Sequence, residues 1–91
     1  MFTGLVKELG EVQSIERNAE GKKITFRSRI LIEDMDIDDS VAINGACQTV
    51  ISKTTHSFSV QAVHETLKKT TLENLKVGSI VNMELALRLS D

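Results

Sequence analysis

The chain has no proline, one cysteine and no long apolar run. Without proline there is no stiff linker to separate two domains. A single thiol, Cys47, builds no disulfide framework, and no second cysteine supports a zinc site. That usage fits a reducing compartment, and a cytoplasmic location is the expectation. No stretch approaches the roughly 18 apolar residues of a membrane helix, and the N-terminus lacks a basic-then-apolar signal pattern. The formal charge is only -2 and no run of like charges exceeds a few residues, so neither nucleic acid nor membrane is an expected partner.

What remains is ordinary globular material. Hydrophobic residues are 41% and charged residues 26%, which argues against disorder. Ninety-one residues suffice for one domain and one core of modest stability.

The patterning has a period of two. Val81, Met83, Leu85, Leu87 and Leu89 alternate with other residues, as do Ile24 and Phe26, and then Phe58, Val60 and Ala62. Each run puts one apolar row on one face of a strand. Strands are predicted at about 5–16, 22–28, 39–43, 46–52, 57–63 and 80–87. In the first, the parity of apolar residues changes between Leu9 and Val12, and the adjacent Gly10 is read as a β-bulge.

Asn44-Gly45 is a strong hairpin signal, and turns are also read at Asn18–Gly21, Lys53–His56 and Val77–Ser79. Helical turns are predicted around Glu65–Lys69 and Leu72–Leu75. Arg17, Lys22, Lys23, Arg27 and Arg29 read as a solvated face. Six short antiparallel strands fit an all-β, closed barrel, because closure removes exposed edges.

The densest chemistry runs from Ser40 to Val50. The hairpin brings Ser40 near Cys47 and Thr49, which share a strand face and can contact a polar heterocycle. The plainer alternative is a small buried thiol and a routine strand threonine. Gln48 has the opposite parity, and the sequence does not decide its environment. Glu65 and Thr66 open a helical turn and serve either a ligand or a cap. His56 and His64 stand alone, without metal-binding company. Phe2 is expected to tuck against the body or a partner.

Met1-Phe2-Thr3-Gly4-Leu5-Val6 resembles the opening of riboflavin synthases, which begin Met-Phe-Thr-Gly-Ile-Val/Ile. Asp39–Val50 resembles that family's Asp-Ser-Val-Ala-Val-Asn-Gly-Val-Cys-Leu-Thr-Val. Glu65-Thr66-Leu67, Thr71-Leu72, Leu75–Gly78 and Val81–Leu87 follow in family order and spacing. The resemblance spans the chain. Two departures are Asp38, where the family has glycine, and Gln48, where it has leucine.

The resemblance implies a six-stranded Greek-key barrel, the amino-terminal half of a two-barrel transferase. It implies riboflavin or 6,7-dimethyl-8-ribityllumazine as ligand, with no metal or organic cofactor. Two lumazines exchange a four-carbon unit, giving riboflavin and a pyrimidinedione. Ser40, Cys47 and Phe2 match positions tied to activity. Thr49, Val63, Glu65, Thr66 and Val6 match the ligand-contact region. The partner is a second barrel or a copy of this one, as a dimer, with a trimer for the full enzyme. A 91-residue barrel alone is expected to bind the ligand but to turn over poorly. The alternatives are a non-enzymatic chromophore binder like the lumazine proteins, or a barrel with no ligand.

Overall fold

A computed structural model describes residues 7–86. Six strands occur among them: β1 (Lys7–Asn18), β2 (Gly21–Arg27), β3 (Ser40–Ile43), β4 (Ala46–Lys53), β5 (Ser57–Val63) and β6 (Ile80–Leu85). A 3-10 turn lies at Leu31–Glu33, helix α1 at His64–Lys69 and a second 3-10 turn at Thr71–Asn74. All strand pairs are antiparallel and close a barrel in the order β1-β2-β5-β4-β3-β6. This is the all-β closed barrel that the alternation predicts.

The apolar rows face inward, as period two requires. Ile24, Phe26, Val41, Ile43, Val50, Phe58, Val60, Val81 and Met83 are fully buried. The rings of Phe26 and Phe58 pack with centroids 5.4 Å apart. The helical turns cover opposite ends of β5. Leu31, Ile32 and Met35 cover one end; Leu67 and Leu72 cover the other. The lumen is filled with side chains and offers no room to a ligand. A binding site on this barrel therefore belongs to its outer wall.

The bulge is not at Gly10. Gly10 pairs in register with Val81, and the register shift falls between Val12 and Ser14. Glu8, Gly10 and Val12 all face inward, and the shift lets Ile15 turn toward the core. The apparent parity change arises because Leu9 points out, 69% exposed, while the charged Glu8 points in. Gly10 is needed for close approach: a Cβ there would meet Met83 Cε at 2.5 Å and the Arg27 carbonyl oxygen at 3.0 Å.

Lys22 also departs from the solvated reading. Its side chain is buried, and the ammonium donates to the Glu73 carbonyl at 3.0 Å and pairs with the Glu73 carboxylate at 3.4 Å. Burial of that ammonium is tolerated because its donors are used. Lys53 at the other end is exposed as a residue, and its ammonium donates to the carbonyls of Ile32 and Met35. The two lysines tie the end caps to the strands.

Asp38 adopts φ 78, the conformation in which glycine is at ease. Its N–H donates to the Val50 carbonyl, and Val50 N–H donates to the Asp39 carbonyl. The turn is therefore kept in place by β4 although the residue is not glycine. Asp38→Gly is expected to stabilise the fold by about 0.5–1 kcal/mol, and Asp38→Val to destabilise it by about 1–2 kcal/mol. Thermal melts of the two variants check the sign of each change.

Candidate functional site

Asn44 (φ 50) and Gly45 (φ 85) both take positive φ, which matches the twist of a two-residue hairpin. Asn44 locks the turn to β6: its Oδ1 accepts from Asn82 N–H, and its own N–H donates to the Asn82 carbonyl, both at 2.8 Å. This fixes the β3–β4 register as Ser40 opposite Thr49 and Ala42 opposite Cys47.

Paired residues share a face. Ser40, Ala42, Cys47 and Thr49 therefore form one row on the outer wall. Cys47 and Thr49 are exposed and Ser40 is half-buried. The thiol is thus presented outward and not used as core filler. Gln48 points the other way and is buried, with Nε2 donating to the Cys47 carbonyl at 2.8 Å. That bond offsets the cost of sinking the amide.

Helix α1 follows β5 directly. Val63 is its extended N-terminal neighbour, with no side-chain cap. His64 N–H donates to the Glu20 carbonyl, and its ring lies 3.1 Å from the Ala19 carbonyl, which anchors the start of the helix. Thr66 is not the cap: its carbonyl accepts from the Thr70 hydroxyl at 2.8 Å. Glu65 sits in the first turn, where the helix dipole favours an anion, and pairs with Lys69 at 2.8 Å.

Between the start of β4 and α1 runs an open groove of about 320 Å³. Ala46, Cys47 and Gln48 form one side; Val63, Glu65, Thr66, Lys69 and Thr70 form the other. The lining offers an apolar wall at Val63, which is 45% exposed, plus hydroxyl, thiol, carboxylate and ammonium groups. A few polar groups around apolar surface suit a flat, polar-edged ring.

The structure thus brings Cys47, Val63, Glu65 and Thr66 together. Ser40 and Thr49 lie on the same wall, one pair further along, and do not line the groove. Phe2 and Val6 lie outside the described residues. Ala46, Lys69 and Thr70 line the groove but escape sequence reading. Lys69 was findable, because it stands four residues from Glu65 and shares its helix face. Among the described residues no aromatic side chain lines the groove; Phe26 and Phe58 are in the core. No described cluster of His, Cys, Asp and Glu can hold a metal ion. No described helix is long and apolar enough to cross a membrane.

A sequence profile of the lumazine binding domain matches residues 3–86. The chain belongs to that family. It is 38% identical to the riboflavin synthase of Bacillus subtilis (strain 168) over 96% of its own length and 40% of the relative's. It is 37% identical to the riboflavin synthase of Actinobacillus pleuropneumoniae over the same shares. With the riboflavin synthase of Mycobacterium tuberculosis (strain ATCC 25618 / H37Rv) it shares 38% identity over 98% of the chain and 45% of the relative. This lumazine-binding-family barrel thus spans about two fifths of the curated relatives it matches.

Proposed function

We propose that this barrel holds 6,7-dimethyl-8-ribityllumazine or riboflavin on its outer wall, as the amino-terminal half of a riboflavin synthase site. The observation that carries the reading is the single groove joining Cys47 to Val63, Glu65 and Thr66. The bicyclic ring lies along Val63, and its polar edge meets Thr66 and the peptide groups of β4. The ribityl chain follows the wall toward Thr49 and Ser40.

The groove is open, so the ring's other face needs a second surface. A second barrel, or a copy of this chain, supplies it and sets two lumazines face to face. Orientation then contributes much of the rate, because a bimolecular encounter becomes effectively unimolecular. The four-carbon unit passes from one lumazine to the other, leaving riboflavin and a pyrimidinedione. The protein's remaining task is to move the proton of the acidic ring methyl group. Cys47 and Ser40, with Phe2, are the side chains assigned to that chemistry. Thr49, Val63, Glu65, Thr66 and Val6 are assigned to ligand contacts.

Riboflavin emission followed during titration tests this. Saturable quenching is expected, with a matching calorimetric heat. Val63→Glu, an outward-facing change, should weaken binding on the order of tenfold or more by putting a charge against the ring. No change in emission and no heat would sink the proposal. Binding without turnover, even when a second barrel is supplied, would favour a pure chromophore binder.

A further inference from the structure

At the opposite end of β5 from α1, the barrel carries a hollow of about 430 Å³. It lies where β2 ends and the β4–β5 turn begins. Arg27, Arg29, His56 and Gln13 line it, with the hydroxyl side chains of Ser28, Thr54 and Ser57. No carboxylate is among the described lining residues.

The hydroxyls are already engaged. Ser28 donates to Glu8 at 2.7 Å, and Thr54 and Ser57 bond each other at 2.8 Å. Two guanidinium groups, an imidazole and an amide therefore remain to meet whatever enters. Arg27, Arg29 and His56 are exposed, and none takes part in the ion pairs found among the described residues. Their backbones are nonetheless fixed. Arg27 pairs with Ser57 across β2–β5, and Arg29 N–H donates to the Glu8 carboxylate at 2.5 Å. Two adjacent cations repel each other, and a shared dianion relieves that repulsion.

We infer that this hollow binds the phosphate monoester of a sugar or polyol. Guanidinium forks match phosphate oxygens bidentately and keep their charge at any working pH. The volume exceeds what a phosphate alone fills, and Gln13 and His56 are placed to meet the hydroxyls of its carrier. One group competes. Glu11 faces Arg27 across β1–β2 and lines the neighbouring groove on the far side of the two arginines. Glu8 lines that groove too, but its oxygens are committed to the backbone. This site is separate from the lumazine groove and does not rest on it.

The test is a titration of isotope-labelled protein with ribose 5-phosphate, inorganic phosphate, ribose and chloride at constant ionic strength. Arginine side-chain N–H and His56 signals are followed by magnetic resonance. Saturable shifts confined to the hollow are expected, tighter for the sugar phosphate than for phosphate alone and absent for ribose. Arg27→Gln and Arg29→Gln should each weaken binding on the order of tenfold. Glu11→Gln should strengthen it. Both arginines are exposed, so an unchanged urea midpoint separates lost binding from lost folding. Linear shifts, equal shifts with chloride, or full binding by the Arg27→Gln/Arg29→Gln variant would overturn the inference.

Discussion

Glu8→Ala is expected to remove a large share of the domain's stability at room temperature. The carboxylate is buried inside the barrel wall and accepts four hydrogen bonds. They come from Ser28 Oγ at 2.7 Å, Arg29 N–H at 2.5 Å, Leu31 N–H at 3.0 Å and Ile30 N–H at 3.2 Å. Ser28 Oγ in turn accepts from Ile32 N–H at 3.1 Å. One side chain thus holds the segment whose Leu31, Ile32 and Met35 close the barrel. Removing it strands several buried donors at roughly 1–3 kcal/mol each, less whatever water recovers. A loss of about 3–5 kcal/mol follows, set against a total of roughly 5–14 kcal/mol for a domain this size. The urea midpoint should fall by roughly 3–5 M at a slope near 1 kcal/mol per M.

The same carboxylate sets an acid limit. Burial pushes its pKa up, but the bonds from Arg29, Leu31, Ser28 and Ile30 together outweigh burial and hold it below the ordinary glutamate range. A folded-state pKa below the unfolded one gives stability that is present above the unfolded value. That stability is lost as pH falls through the folded value. The margin between the wild-type protein and Glu8→Gln should therefore be widest near neutral pH and shrink in acid. Parallel stability curves for the two proteins would contradict this.

Gly21→Ala is the second severe change. Gly21 ends the β1–β2 turn, where Asn18 Oδ1 accepts from the N–H groups of Glu20 and Gly21. Its φ of 147 excludes ordinary L side chains, and an added Cβ would run into the Ala62 carbonyl. Relief requires moving β2 away from β5 at the Gly21–Val63 pair. A loss of about 3–4 kcal/mol is expected, from strain and broken ladder bonds together. The damage sits beside Val63 and α1, so ligand binding should suffer before the far end of the barrel opens. Hydrogen exchange would show early opening at β5 and α1, with Val12 and Phe26 still protected.

Alternation was legible wherever one face is apolar and the other polar, as at Ile24/Phe26, Phe58/Val60/Ala62 and Val81/Met83. The turn at Asn44-Gly45 was legible because few residues accept two positive φ values in succession. Glu8 was not, because a charge in an alternating strand is read as outward. Its partners lie some twenty residues away and are mostly peptide N–H groups, which carry no side-chain signature. Lys22 hid for the same reason, since its ammonium donates to the Glu73 backbone carbonyl. Gly10 drew attention to the wrong residue: it marks a close approach of Met83, and the bulge lies beyond it at Gln13. Within the candidate site, the outward row Ser40, Cys47 and Thr49 followed from parity. Joining Cys47 to α1 required knowing that β4 lies beside β5, which is a matter of topology and not of local pattern.

The most direct measurement is a map of backbone amide shifts during riboflavin titration. Saturable shifts should cluster at residues 46–49 and 63–70 and leave the Leu31–Met35 cap unmoved. Shifts centred on that cap, or none at Cys47 and Thr66, would contradict the assignment of the outer-wall groove.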